Sequence, residues 1–544
     1  MINTFLSPAS TRTAVFQERR SQVVWLGWFV FIIGLTGLIG LFMLRAGLPP
    51  HPSTIAWVIY LAGIALIFKN PRFGVYLIMC FGLMGDGTLS YWFPFVKNFS
   101  SSESLLYLHD ALIISPMELY LALTYMAWLG RMAMQHNWQF FQGDLFWPML
   151  VFTGFVIFGL VYGLGTGGNV NIALWEARPI LYLPAMFILI SNLFTKREHF
   201  SHLMWFIIFA LFVEGWFGVR FYIVEIKMDL SQVESITEHS AAMHMNTYFA
   251  LMLAVWLYKG SSPTKRLLLP LMVAPVALTY IATQRRSSFL TIGVAVALMF
   301  IILLKENKQA FWLIVPPATV LGLLYVAAFW NSSSAIAMPV SAIKSVVAED
   351  ESNAADQASN AYRLIENLNS DYTIHAEPIT GVGFGNKFYI VYPMPDISFF
   401  EWWEYITHNS IIWFWMKTGT GGFMSMIYLV ALTVAVGARA VWRLPGGDIN
   451  AITLTAVLYI IMHFIYAYVD MSWDTQSMIY VGTMIGIINR VEHVVSQPVR
   501  LPPKRWPWQR DPEPVLGLAP IPEKWIFTPA EPAVVSKVDN SLPR

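Results

Sequence analysis

The sequence predicts an all-α polytopic membrane protein: a bundle of about 14 transmembrane helices with one large, partly helical loop on the extracytoplasmic side. Three observations lead there. Of 544 residues, 56% are hydrophobic and 12% charged, where a soluble chain has about 45–50% and about 25%. The apolar residues form long continuous runs, not the alternation over about ten residues that barrel strands need. Lys and Arg cluster between alternate runs. A mean hydropathy of +0.55 excludes a soluble enzyme and a disordered chain. The single Cys80 excludes a disulfide scaffold or thiolate metal cluster, and a net charge of +1 gives no reason to expect nucleic acid.

A helix crossing a hydrocarbon core of roughly 30 Å needs about 20 apolar residues. The runs at 23–44, 54–68, 73–93, 112–130, 145–163, 179–194, 203–223, 242–258, 266–283, 288–304, 311–330, 410–438, 451–469 and 474–490 are the expected spans. Backbone groups in lipid must be satisfied within the segment, which selects helix. The first run follows Arg12, Arg19 and Arg20 and is longer than the about 7–15 residues of a signal-peptide core, so it reads as an uncleaved anchor.

Orientation follows from the basic residues. With the N-terminus inside, the short inner loops hold Lys69, Arg72, Arg131, Lys196, Arg197, Lys259, Lys265, Arg266, Lys305, Lys308, Arg439, Arg443 and Arg490. Both termini are then expected in the cytoplasm. The chain divides into a cytoplasmic segment (1–22), eleven spans (23–330), a large outer loop (331–408), three spans (409–495) and a Pro-rich tail (496–544) expected to be disordered.

Ionisable residues at membrane depth are costly and are functional candidates by default. Asp86, Glu214 and Arg220 fall within expected spans; the structural alternative is an internal ion pair. Arginines on the outer side run against the charge bias. Arg285 and Arg286 lie in TQRRSSF between two spans, Arg178 in WEARPILYLP where a span begins, and Arg363 in NAYRLIENL within the large loop. Guanidinium groups hold phosphates bidentately and stay charged when desolvated, so a lipid-linked diphosphate suits such a set. The alternative for each is a snorkelling anchor. Gly381, Gly383 and Gly385 weakly resemble a phosphate cradle, but the residue type equally serves a tight turn. His408 stands where the loop re-enters the membrane and is suited to taking a proton from a hydroxyl, or to starting a helix capped by Asn409. His239 and His244 are not spaced for one helix face, and Asp470 and Asp474 flank the last outer turn, placed to orient a cation or to sit in water.

From Arg285 to Gly422 the chain resembles the O-antigen ligase and O-antigen polymerase family of bacterial envelope glycan enzymes. The resemblance rests on an ordered set: Arg286-Ser287-Ser288 between two spans, a large outer loop with Arg363, the Pro378-x-x-Gly381-x-Gly383 segment, and His408-Asn409 before a span holding Gly419, Gly421 and Gly422. Where the family has Ser before the first arginine this chain has Arg285, which leaves the choice between Arg285 and Arg286 open. The resemblance implies a cofactor-free, metal-independent, inverting glycosyl transfer at the periplasmic face of a bacterial inner membrane. The donor would be a glycan on a polyprenyl diphosphate. The acceptor would be a hydroxyl of lipid A-core, of another lipid-linked glycan, or of a protein. Carried over, Arg286 and Arg363 would hold the diphosphate, and His408 would activate the acceptor or position the leaving group. Arg285, Arg178, Arg220 and Glu214 are further candidates for contacting diphosphate or glycan. The competing class is a lipid-linked glycan flippase or transporter, in which Asp86, Glu214 and Arg220 would couple ions.

Overall fold

The computed structural model describes residues 52–496 apart from 96, 137, 231–232, 234, 333, 349–353 and 396–401. The anchor at 23–44, its preceding arginines and the tail from 497 onward lie outside the described residues. Among the described residues there are fifteen α-helices and no strand. They are α1 (Pro52–Lys69), α2 (Arg72–Met84), α3 (Pro116–Met134), α4 (Phe146–Gly165), α5 (Val170–Leu193), α6 (Arg197–Arg220), α7 (Ala241–Leu257), α8 (Pro263–Ala282), α9 (Arg286–Glu306), α10 (Lys308–Phe329), α11 (Met338–Val347), α12 (Ala354–Ala376), α13 (Ser410–Arg443), α14 (Gly447–Val469) and α15 (Thr475–Ser496). Every expected span from 54–68 onward overlaps a helix, and α11 and α12 are helices of the large loop. Nine helices among the described residues are long and apolar enough to cross a membrane. The chain is a multi-pass membrane protein.

The core is built where small residues let backbones approach. Gly482 and Gly486 stand four apart on α15 and meet α5: a Cβ at Gly482 would come 2.2 Å from the Leu183 carbonyl oxygen, and one at Gly486 2.7 Å from Ile190 Cβ. Gly215 and Gly218 do the same for α6 against α8, at Val276 and Thr279. α14 and α15 are buried along almost their whole length, whereas α10 buries no residue.

Two helices depart from their apolar runs. α2 stops at Met84 although the run continues to residue 93. Asp86 accepts hydrogen bonds from the amides of Thr88 (2.8 Å) and Leu89 (3.0 Å), an Asx turn that offers the backbone an alternative to helix. Asp86 therefore sits in the turn beyond α2, not within a span. α13 bends at Gly419, whose backbone (φ 67°, ψ −177°) is not helical. At the bend Thr420 donates to the Pro378 carbonyl through both its amide (3.0 Å) and its hydroxyl (2.7 Å).

Candidate active site at the loop-bearing end

The glycine-rich segment forms the foundation. Residues 381–386 dip beside α4 and α13: Val382 N donates to Met416 O (2.9 Å), Phe384 N to Gly159 O (3.1 Å) and Gly385 N to Glu176 Oε2 (2.6 Å). Gly383 is at φ 79°, and a Cβ there would come 2.4 Å from Gly163 Cα. Only glycine fits both the conformation and the space. These amides are spent on the protein, so the segment is an anchor and not a phosphate cradle. Its charged lock is Glu176 on α5 with Lys417 on α13, 2.9 Å apart and both fully buried. Lys417 also donates to the Asn386 carbonyl (2.5 Å). Irregular backbone at membrane depth survives only when its polar groups are satisfied in this way.

α12 lies above that anchor. One face grips the chain at 388–392: Asn369 Oδ1 accepts from the amides of Val391 (2.9 Å) and Tyr392 (2.7 Å), and Thr373 Oγ1 from that of Tyr389 (2.9 Å). Another face, with Gln357, Asn360, Arg363 and Asn367 at helical spacing, lines a cavity of about 750 Å³. The opposite wall is His408 and Asn409 from the start of α13 and Tyr468 and Val469 from the end of α14. Those ends are fastened together, because Ser410 Oγ donates to the Asp470 carbonyl and accepts from the Ser472 amide, each at 3.1 Å.

Glu366, three residues after Arg363, is only 2% exposed. Its carboxylate accepts the His408 amide (2.8 Å) and contacts His408 Nδ1 at 3.1 and 3.2 Å. A carboxylate can only accept, so Nδ1 donates to it, and Nε2 is the ring nitrogen that Glu366 leaves unengaged. Beside it stands Asp470, also buried. His239 Nδ1 is 3.1 Å from its Oδ1, and Arg285 Nη2 is 3.5 Å from His239 Nε2. Burial by itself would raise the Asp470 carboxyl; the His239 hydrogen bond and the charges of His239, Arg285 and Arg363 overcome it and hold the group well below the usual carboxylate range.

The structure thus brings His408 and Arg363 to one cavity and joins Arg285 and Arg363 electrostatically through Asp470. Arg286 is the first residue of α9, next to Arg285 and half-buried, and is not in that cavity wall. Arg178 is in a fork-shaped ion pair with Glu118 that ties α5 to α3. Arg220 pairs with Glu225 at 3.2 Å, and Glu214 is buried on α6. A separate acidic group lies near the same end. Glu238 accepts from the Gly87 amide (3.0 Å) and Asp86 from the Glu238 amide (2.9 Å). Burial, then the charges of Asp86 and Asp474, push the Glu238 carboxyl up to about 8. Among the described residues no cluster of three or more His, Cys, Asp or Glu is placed to hold a metal ion.

Fold and candidate site together define a polytopic membrane protein with a cavity lined by an arginine and a histidine at the ends of its helices. Residues 271–427 match the family model described as O-Antigen ligase. This match bears out the resemblance to the O-antigen ligase and polymerase family over that region and supports an enzyme of that type, a family that acts on lipid-linked glycans. A comparison with curated proteins gave no match.

Proposed function

We propose that the protein is an O-antigen ligase-like glycosyltransferase that moves a polyprenyl-diphosphate-linked glycan onto an acceptor hydroxyl at the outer face of a bacterial inner membrane. The observation that carries this reading is the shared cavity of Arg363 and His408, with His408 held by a buried carboxylate (Glu366). In the proposed reaction His408 Nε2 takes the proton from the acceptor hydroxyl. The freed oxygen attacks the anomeric carbon from the face opposite the diphosphate. The anomeric C–O bond breaks with its electron pair leaving on the diphosphate, and configuration inverts. No metal takes part; negative charge growing on the leaving group is met by Arg363 and by Arg285 or Arg286. A preorganised donor aimed at such charge is worth on the order of 3–4 kcal/mol, roughly 100- to 1000-fold in rate.

The test is a transfer assay with purified protein, an undecaprenyl-diphosphate-linked oligosaccharide and, in turn, lipid A-core, a second lipid-linked glycan and a Ser/Thr peptide as acceptor. Mass spectrometry of the product separates ligase, polymerase and flippase outcomes, since a flippase leaves glycan length and linkage unchanged. Arg363→Ala and His408→Ala are expected to fold and to lose at least about 100-fold in transfer rate. Wild-type rates in both would reject the site; no transfer by wild type to any of the three would reject the activity.

A further inference from the structure

His239 lies in the chain that leads into α7, and its backbone is fixed on both sides. The Glu238 amide donates to Asp86 (2.9 Å), and the His239 carbonyl accepts from the Tyr466 hydroxyl (2.5 Å). The same hydroxyl is 3.2 Å from Asp470 Oδ2. Asp470 Oδ1 accepts the Met471 amide (2.8 Å) and contacts His239 Nδ1 (3.1 Å). On the other side of the ring, Nε2 is 3.5 Å from Arg285 Nη2. A carboxylate only accepts and a guanidinium only donates, so the imidazole bridges the two when its proton is on Nδ1. The His239 side chain is 41% exposed, so it is not packed into the core as Tyr466 is. His239 and Asp470 both lie outside the region 271–427 that the family match covers.

The molecule holds two of its arginines in contrasting ways. Arg178 meets Glu118 directly, and the carboxylate takes up the fork of its guanidinium. Arg285 meets Asp470 through an imidazole, which engages a single N–H of the guanidinium. Set straight against Asp470, Arg285 would close into a bidentate pair like that of Arg178 and lose the geometry that grips a phosphate. The ring acts as a spacer: it fixes the direction of Arg285 and keeps its fork off the carboxylate. Asp470 in turn feels the charges of both Arg285 and Arg363, so one buried carboxylate holds two mutually repelling cations near each other. Tyr468 and Val469, the two residues before it, line the cavity that Arg363 and His408 share. We infer that His239 is a positioning residue of the diphosphate grip: braced by Asp470, it holds Arg285 beside Arg363 to receive a lipid-linked diphosphate. This rests on the glycosyl-transfer reading and adds to it a residue from outside the matched region.

The test is a set of titrations of the full chain with undecaprenyl diphosphate. His239→Phe keeps a flat ring at a half-exposed position but neither donates nor accepts; it is expected to fold and to raise the Kd about fivefold. His239→Gln supplies an N–H for Asp470 and a carbonyl oxygen for Arg285, and is expected to bring the Kd back to within about twofold of wild type. Arg285→Ala is expected to raise the Kd about tenfold. In the Arg285→Ala background His239→Phe should add nothing, whereas in the Arg286→Ala background its cost of about fivefold should persist; a merely structural role would cost the same in both. An unchanged Kd in His239→Phe or in Arg285→Ala, an equal loss in the two backgrounds, no recovery in His239→Gln, or a His239→Phe protein that does not fold overturns this inference and leaves the glycosyltransferase reading standing. Wild-type protein that does not bind undecaprenyl diphosphate overturns both.

Discussion

The two ends of the bundle use their charges in opposite ways. At the end opposite the large loop, cations close helix termini. Arg131 donates to the Phe68 carbonyl (2.9 Å), Arg490 to that of Phe194 (3.0 Å) and Arg266 to that of Tyr258 (2.7 Å). Lys265 pairs with Asp448 at 2.6 Å, and Arg439 and Arg443 share Glu492, each at 3.3 Å. Basic side chains there satisfy the last carbonyls of neighbouring helices and complement their dipoles. At the loop-bearing end a carboxylate is held against a histidine, and Arg363 and His408 line one cavity. A cation matched to a helix end is scaffold. A cation that lines a cavity is a candidate for holding a ligand.

The largest effect belongs to the scaffold within the loop-bearing end itself. Lys417→Met would strand the fully buried Glu176 carboxylate, and removing one partner of such a pair costs about 3–5 kcal/mol. Denaturation in detergent micelles should show that loss, and the double variant Glu176→Leu with Lys417→Met should recover most of it. A lone Lys417→Met as stable as wild type would mean the glycine-rich segment is not locked by charge. Smaller is the effect of Glu366→Gln, which weakens the hold on His408 without unfolding α12. It should lower kcat about tenfold with both KM values unchanged, and Glu366→Asp should restore part of the rate. A change confined to KM would place Glu366 in binding instead.

A third effect is on pH dependence. Glu238 is favoured in its neutral form when folded, since its carboxyl is raised to about 8. A raised carboxyl contributes stability at pH below its unfolded value, and that contribution is lost as pH rises toward the folded value. Wild-type stability should therefore fall between about pH 5 and pH 8, and Glu238→Gln should flatten that slope. An equal slope in the variant would assign the dependence to other groups.

Much of the scaffold was legible in the sequence because its causes are local. Long apolar runs become helices, and basic loops mark one end. The early stop of α2 was not, since a hydropathy run conceals the turn chemistry of Asp86. The candidate site was half legible. Arg363, His408 and Arg285 stood out as arginines and a histidine on an unexpected face. Glu366 did not, because the contact that gives it meaning is 42 residues away in sequence. Asp470 read as a loop aspartate until His239 and Arg285 were folded around it. Lys417 was open to the same reasoning as Glu214, since it falls within the expected span 410–438, but Glu176 lay outside any expected span and only packing reveals the pair. Arg178 and Arg220 show the converse, since outward arginines can be spent on Glu118 and Glu225.

The claim that the loop-bearing end grips a lipid diphosphate is tested most directly by titrating undecaprenyl diphosphate into wild-type protein, Arg363→Ala and Arg439→Ala. The account predicts a Kd raised at least about tenfold in Arg363→Ala and unchanged in Arg439→Ala, whose side chain serves the opposite end. Equal affinity in wild type and Arg363→Ala would contradict it.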